Sequence, residues 1–198
     1  MTSAAITHPP DHTDWILPSR GRVGMYVLIA AESAIFLIFV VAYIFYIGKS
    51  EYGPMPKDVL DLPIFNTVCL LSSSLTIHLA IRALRDAKLG AFKLWWFVTL
   101  ALGTIFLIGT GREWYRLIYE KGLTVNTNLF GTTYYSLVGL HAFHVTVGLT
   151  FIALAMILAL LGKVQPEHSE RADVFAMYWH FVDAVWVVVF TVVYVVGR

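Results

Sequence analysis

One stretch of the chain decides its fold class: residues 135–161 read YSLVGLHAFHVTVGLTFIALAMILALL and contain no Asp, Glu, Lys or Arg. A helix needs about 20 consecutive apolar residues to cross a hydrocarbon core roughly 30 Å thick. The strands of a membrane barrel are about 10 residues long and alternate between apolar and polar positions. This stretch is longer than such a strand and apolar throughout, so it predicts a transmembrane helix.

Four further stretches are also long and mainly apolar. The chain has 198 residues, of which 58% are hydrophobic and 14% are charged, whereas soluble domains carry about 25% charged residues. The sequence therefore predicts an all-α fold, a polytopic membrane bundle of five transmembrane helices. Residues 1–22 are expected to form a flexible cytoplasmic tail, and residues 23–198 the transmembrane domain. The predicted spans are residues 23–47, 64–84, 92–114, 135–161 and 174–196.

Charge and cysteine content exclude several classes of protein. The formal net charge is +1, which is too balanced to suggest a nucleic-acid partner. The single cysteine, Cys69, cannot form an internal disulfide or a paired-cysteine metal site. These observations exclude a nucleic-acid-binding protein and a disulfide scaffold, and the apolar composition excludes a soluble enzyme.

Lysines and arginines predict the orientation, because they are enriched in the cytoplasmic loops of membrane proteins. With five spans, the tail and the second and fourth loops together carry eight of these residues, and the opposite side carries six. The excess places the N-terminus in the cytoplasm and the C-terminus on the periplasmic or external side.

Glu32 lies near the middle of the first predicted span, about 14 Å along a helix that rises 1.5 Å per residue. An ionised carboxylate at that depth costs at least ~2.5–3.5 kcal/mol on insertion scales. The side chain must be protonated, paired, or turned towards a protein or water interface. Two interpretations stand side by side: a proton-linked or lipid-contacting carboxylate, and a neutral glutamic acid hydrogen-bonded to a neighbouring helix.

The fourth span contains two histidines one helical turn apart, His141 and His144, with Gly148 on the next turn. Such offsets place side chains on one helix face, and two histidines in this arrangement could ligate a metal. No carboxylate or thiolate completes a ligand set nearby. We therefore expect no metal site, and predict interhelical hydrogen bonds with Gly148 allowing a close helix approach.

The fifth span carries His180 and Asp183, also one turn apart. A catalytic dyad is conceivable, but no serine, cysteine or metal set completes it, so we predict no catalytic residue. The preferred interpretation is a membrane-buried ion pair that braces the bundle. In the second span Thr67, Ser74 and His78 share one face, which is typical of polar contacts between membrane helices.

The charged neighbours Arg112 and Glu113 follow the apolar part of the third span. Charged side chains at the end of a span can extend to the membrane surface, so both are predicted to be interfacial anchors. The loop that follows, predicted as residues 111–133, is the longest in the chain.

Four motifs, in this order, are similar to those of one protein family. They are GMY, AES and AYI within residues 24–44, LPIFNT and LSSSLT within 62–76, GTTYYSLVGLHAFHVTVGL at 131–149, and YWHFVDAVW at 178–186. The chain resembles subunit III of the haem–copper oxidases, most closely cytochrome c oxidase subunit III, over nearly all of its length. In this resemblance Glu32 matches the glutamate in the middle of the family's corresponding helix.

The family's fuller form has seven spans, and this chain lacks the first two, as shorter bacterial members do. Those two helices form one wall of a cleft that holds phospholipid, so the resemblance leaves the lipid site incomplete unless a partner supplies the wall. Asp173 lies where the family often has an acidic residue just before the last helix, and it is predicted to be interfacial.

The resemblance implies a non-redox accessory subunit in a bacterial cytoplasmic membrane. Its main partner would be subunit I, with subunit II, a small subunit IV and membrane lipids as further contacts. Haem and copper would lie in the partner subunits, and this chain would hold no cofactor but could bind phospholipid. The complex would oxidise cytochrome c, reduce oxygen to water and pump protons in aerobic respiration, with this subunit sustaining proton uptake.

Three alternatives remain open at this stage. The chain could be subunit III of a quinol oxidase or a nitric-oxide-reductase-associated homologue, since electron donors bind other subunits. It could be a stand-alone membrane protein that ligates haem through His78, His141, His144 or His180. It could also be a proton-linked transporter that uses Glu32 and the His180–Asp183 pair, although no internal repeat is visible.

Overall fold

The computed structural model describes residues 19–50 and 52–197. We number the α-helices of this part of the chain in order. A 3₁₀ turn (Pro166–His168) precedes the last of them and a π-helical turn (Thr191–Val196) continues it. The helices are α1 (Arg20–Tyr46), α2 (Pro56–Val59), α3 (Ile64–Arg85), α4 (Leu89–Tyr119), α5 (Leu129–Leu160) and α6 (Ser169–Phe190).

Five of these segments are long and apolar enough to cross a membrane: α1, α3, α4, α5 and the continuous helical stretch Pro166–Val196 that contains α6. The predicted all-α bundle of five transmembrane helices is thereby confirmed. Most of the predicted flexible tail falls on residues 1–18, which lie outside the described residues.

Several helices extend beyond the predicted apolar spans. Helix α1 begins at Arg20, inside the predicted tail, and α4 continues to Tyr119. The prediction of a loop over residues 111–133 is therefore wrong, because most of these residues are helical. Hydropathy marks only the part of a helix that lies in hydrocarbon, whereas the backbone hydrogen bonds of the helix continue into the polar region.

Helix α5 also begins earlier than predicted. Its start is stabilised by Asn128, whose side-chain oxygen accepts a hydrogen bond from the backbone N–H of Gly131 at 2.8 Å. Asparagine is among the best residues for this position, because it satisfies a backbone donor that the first helical turn leaves free.

Helix α6 has the central place in the bundle, in contact with α1, α3 and α5. Helices α3 and α4 form an antiparallel hairpin, and α4 packs in turn on α5. Helix α1 lies at the periphery, where only Phe36, Val40 and Tyr43 are buried. We call the end of the bundle where α1 and α6 begin the proximal end, and the opposite end the distal end.

The indole of Trp179 in α6 is the centre of the helix packing. It is 1% exposed, and its Nε1 donates to the hydroxyl of Ser73 in α3 at 2.8 Å. A Cβ atom on Gly103 of α4 or on Gly148 of α5 would lie within 3.0 Å of this ring. The absent side chains at the two glycines therefore make room for the ring, which joins three other helices to α6.

Candidate functional site

Glu32 forms a pair with His144 across the contact between α1 and α5. Its Oε2 lies 3.1 Å from Nε2 of the imidazole, and the side chains of His144 and Glu32 are 7% and 24% exposed. Of the arrangements open to a mid-membrane glutamate, the structure has the paired one. Part of the Glu32 side chain still lies at the surface of the bundle.

The second nitrogen of His144 determines how many protons this pair holds. Nδ1 lies 2.8 Å from the backbone carbonyl of Leu140, and a carbonyl oxygen only accepts, so Nδ1 carries hydrogen. The hydrogen bond between Nε2 and the Glu32 carboxyl group then needs one further proton, which is carried either by Nε2 or by the carboxyl group. In both cases the pair is neutral overall, which is how a carboxyl group is kept in a membrane at low cost.

His141 has no comparable partner. It is fully buried, and neither ring nitrogen has a hydrogen-bond partner among the described residues. Its ring instead stacks on Trp186 with centroids 5.0 Å apart and lies edge-on to Phe106. The prediction of interhelical hydrogen bonds therefore fails for this histidine, because its face of α5 meets aromatic rings rather than polar groups.

Hydrogen bonds between side chains run along the contact of α3 with α6. The hydroxyl of Ser74 lies 2.6 Å from Nδ1 of His180, and Nε1 of Trp186 donates to the hydroxyl of Thr67 at 3.1 Å. His78, the third member of the predicted polar face, lines a cavity nearer the proximal end. We call this row of groups the α3–α6 seam.

The predicted ion pair between His180 and Asp183 does not form. His180 turns its Nδ1 to Ser74, and neither carboxyl oxygen of Asp183 has a hydrogen-bond partner among the described residues. The spacing of three residues allows such a pair but does not require it. In the structure, Nδ1 of His180 contacts the hydroxyl of Ser74 on α3 instead. Asp183 is thus a buried acid, 3% exposed, that lacks the expected partner.

Asp173 ties three helices together at the proximal end. Its two oxygens accept hydrogen bonds from Arg22 of α1 at 2.6 Å and from Arg85 of α3 at 2.9 Å. Between α3 and α6 a cavity of about 390 Å³ opens beside this group, with His78 and His180 in its lining. Sequence indicated only that Asp173 is near the interface, because both arginines come from other helices.

The prediction that Glu113 is an interfacial anchor is wrong. The side chain is not an anchor that reaches outward: its Oε1 accepts hydrogen bonds from the hydroxyls of Tyr194 at 2.9 Å and Tyr134 at 3.3 Å. Both tyrosines are buried. Sequence analysis missed them, although Tyr194 is a polar group inside the fifth apolar span. Arg112 does stay exposed and lines a cavity between α3 and α4.

That distal cavity has a volume of about 720 Å³. Its charged lining includes the ion pair of Arg116 with Asp61, 2.6 Å apart, as well as Arg112 and Glu120. Opposite charges are mixed here, so the cavity has no clear preference for an anion or a cation.

These groups do not form a set for nucleophilic catalysis or metal binding. Both nitrogens of His144 contact protein atoms and His141 is enclosed by rings, so neither is free to ligate. The described residues contain no cluster of three or more His, Cys, Asp or Glu side chains placed to hold a metal ion. What the arrangement offers is cross-helix bracing and buried groups able to hold protons.

Comparison with known proteins gives one consistent result. A sequence profile of the family described as Cytochrome c oxidase subunit III matches residues 7–198. Cytochrome c oxidase subunit 3 of Synechocystis sp. is 39% identical over 89% of this chain and 76% of its own length. The protein of that name from Alkalihalophilus pseudofirmus is 33% identical over 88% of this chain and 86% of its own. Quinol oxidase subunit 3 of Bacillus subtilis is 28% identical, with the same two coverages.

Proposed function

We propose, from the premise that this chain belongs to the cytochrome c oxidase subunit III family, that it packs on subunit I as an accessory subunit and supports proton uptake there. Membership makes the chain subunit III of a haem–copper oxidase, a multi-pass membrane protein in a complex of several subunits. The match along residues 7–198 is the observation that carries the proposal.

The proposed electron donor is cytochrome c. The relatives with 39% and 33% identity are both named cytochrome c oxidase subunit 3, whereas the relative named for quinol is 28% identical. Donors bind other subunits of such a complex, so these names support the assignment and the residues of this chain do not. In the proposed complex the subunits I and II carry haem and copper, and a small subunit IV would complete it.

Bound phospholipid is part of the proposal, and one cavity supports it. The space, about 240 Å³, lies at the proximal end between α4, α5 and α6 and has Phe92, Trp96 and Phe175 in its wall. Lys163 and Arg171 also line it. Aromatic walls accommodate an acyl chain, and basic side chains at a membrane surface attract an anionic headgroup.

Proton uptake is the step that the buried groups would support. The Glu32–His144 pair holds one proton between two side chains and lies partly at the bundle surface. Loss of that proton would leave the Glu32 carboxylate beside a neutral imidazole, with a net charge of −1, so its transfer to a neighbouring subunit has to be coupled to the arrival of another proton. In the proposed orientation the proximal end, with Arg22, Arg85 and Lys163, faces the cytoplasm, from which protons are taken up.

Purification of the tagged full chain in mild detergent tests the proposal. We expect a haem-containing subunit I to co-purify in equal amounts, and the preparation to reduce oxygen when supplied with reduced cytochrome c. A membrane protein with the same tag but from another family is the control for unspecific capture.

Three results would contradict the proposal in different ways. A chain that purifies alone with its own stoichiometric haem absorption would be a stand-alone haem protein. Uptake of a solute into liposomes that contain only this chain would support a transporter. Oxidation of quinol but not of cytochrome c would assign the complex to the quinol oxidases.

A further inference from the structure

The distal cavity of about 720 Å³ plays no part in the function proposed above. It lies between α3 and α4, which are joined by a short connection at the proximal end. Helix α4 has 31 residues and α3 has 22, so α4 continues about 14 Å beyond the start of α3 at 1.5 Å per residue. The cavity occupies the step that this difference leaves beside the end of α4.

The side chains in the wall of this cavity change from apolar to charged towards the distal end. Phe65, Ile105 and Ile108 line its inner part, and all three are exposed. Arg112 lines it seven residues after Ile105, which is about 10 Å further out along α4. A phospholipid has the same order, because its acyl chains lie in the hydrocarbon and its polar headgroup lies outside it.

Glu113 provides a fixed carboxyl group beside Arg112. Its Oε1 accepts hydrogen bonds from the buried hydroxyls of Tyr194 at 2.9 Å and Tyr134 at 3.3 Å. Its Oε2 has no hydrogen-bond partner among the described residues, yet it is not one of the enclosed side-chain atoms. Since Glu113 lines the cavity, this oxygen is open to it. Acids within a membrane span are typically paired, so a cationic group in the cavity would complete the site.

Asn66 of α3 adds a neutral hydrogen-bonding group to the wall. A Cβ atom on Gly109 of α4 would overlap the side-chain amide of Asn66, so the glycine makes room for this amide. Gly109 precedes Arg112 by three residues, about 4 Å along the helix. The amide can both donate and accept hydrogen bonds, and it lies just inside the charged part of the wall, where the ester groups of a phospholipid would be.

The charges of the wall match a headgroup that is neutral overall. Asp61 and Arg116 are paired with each other at 2.6 Å, whereas Arg112 and Glu113 are in no ion pair between described residues. Glu120 at the outer edge adds a further acid, so an anionic headgroup would meet uncompensated carboxyl groups. A zwitterion supplies a partner for each sign. A primary ammonium can also donate hydrogen bonds to a carboxylate, which a trimethylammonium group cannot.

We propose that the distal cavity binds one zwitterionic phospholipid with a primary ammonium group, phosphatidylethanolamine. Its phosphate pairs with Arg112, its ammonium group donates to Oε2 of Glu113, and an acyl chain lies along Ile105 and Ile108. This site is at the opposite end of the bundle from the lipid cavity between α4, α5 and α6. It goes beyond the proposed function, since it requires the membrane but no particular partner subunit.

Native mass spectrometry tests the site by counting the lipids that stay bound to the protein. The full chain is purified in mild detergent with the subunits that accompany it, and is titrated with phosphatidylethanolamine, phosphatidylcholine or phosphatidylglycerol of equal chain length. We expect one tight site that prefers phosphatidylethanolamine. Glycerophosphoethanolamine, which is the headgroup without acyl chains, should not compete at the same concentration, because it gains nothing from the apolar wall.

Variants of the two charged residues locate the binding. Arg112→Gln and Glu113→Gln should each weaken the binding of phosphatidylethanolamine roughly tenfold, because each removes a charge-assisted hydrogen bond. Glu113→Gln should also reduce the preference over phosphatidylglycerol, since it removes an acid that repels an anion. Lys121→Gln and Asp58→Asn are the matched controls. Both remove an exposed charge at the distal end outside the cavity wall and should leave the affinity unchanged.

Several results would overturn the proposal. Equal affinity for the three lipids, or equal effects of the site variants and their controls, would show unspecific lipid around the protein. Tighter binding of phosphatidylglycerol would make the cavity an anion site, and tighter binding of phosphatidylcholine would exclude the contact with Oε2. A complex that binds no lipid would mean that another subunit fills the cavity. Should Glu113→Gln fail to assemble, Arg112→Gln decides, since that side chain is exposed. The measurement counts lipids, so its outcome is separate from oxygen reduction and from the electron donor.

Discussion

Replacement of Glu32 tests the role of its pair with His144 most directly. Glu32→Ala leaves Nε2 of the imidazole without its partner in a side chain that is only 7% exposed. An unsatisfied buried polar group costs about 1–3 kcal/mol, whereas a broken, fully buried ion pair costs about 3–5 kcal/mol. Since the Glu32 side chain is itself 24% exposed, we expect a loss in the lower of these ranges.

Glu32→Gln separates the hydrogen bond from the titratable proton. The amide can donate to Nε2 of His144, while Nδ1 still donates to Leu140. The variant keeps a hydrogen bond and the overall neutrality of the pair, so the expected loss of stability is less than about 1 kcal/mol. The assembled oxidase should keep most of its initial rate of oxygen reduction.

Thermal unfolding of the purified complex and its oxygen consumption measure the two variants. The combination Glu32→Ala with His144→Phe completes a double-mutant cycle, in which the second change should cost little once the first has removed the pair. Equal destabilisation by Glu32→Gln and Glu32→Ala would refute the argument from hydrogen bonding. Complete loss of oxygen reduction in an assembled Glu32→Gln complex would show that the proton on this residue is obligatory.

Three further changes test the packing, the proximal end and the topology. Gly148→Ala places a Cβ 2.8 Å from an indole carbon of Trp179 and should lower the stability by about 1–3 kcal/mol in thermal unfolding. Gly139→Ala is the control and should be almost neutral, because the nearest atom to its Cβ is 3.5 Å away. Equal effects of the two changes would contradict the packing argument. Asp173→Asn weakens two partly exposed ion pairs and should cost roughly 1 kcal/mol or less, so a loss of assembly would mean that this group does more than brace the helices. Cysteine labelling at positions 57 and 88, in place of Lys57 and Lys88, should report opposite sides of the membrane, and labelling from one side only would refute the five-span topology.

Sequence alone was sufficient for the number and type of the membrane helices. Each predicted span lies within or close to a helix of the structure, because a run of about 20 apolar residues leaves the backbone no alternative to internal hydrogen bonds in lipid. The errors lie at the helix ends, for example at residues 129–134, where α5 already begins after the capping residue Asn128 but the predicted span begins only at residue 135. Hydropathy does not register such ends, since they lie outside the hydrocarbon.

The sequence also indicated the polar residues of the candidate site, but it indicated only some of the groups that they contact. Glu32 and His144 were recognised as groups that need an explanation, and the structure brings them together. The spacing of His180 and Asp183 predicted an ion pair between them. In the structure, the hydrogen-bond partner of His180 is Ser74, which is more than 100 residues away in the sequence.

The difference has one physical cause. Whether a segment becomes a membrane helix depends on interactions within that segment, which its own sequence contains. Which side chains meet depends on the rotation and depth of each helix against its neighbours, and these are set by packing of the whole bundle, such as the ring of Trp179 between Gly103 and Gly148. The tertiary structure alone therefore decided that Glu113 turns inward to two tyrosines and that Asp183 is left without an ionic partner.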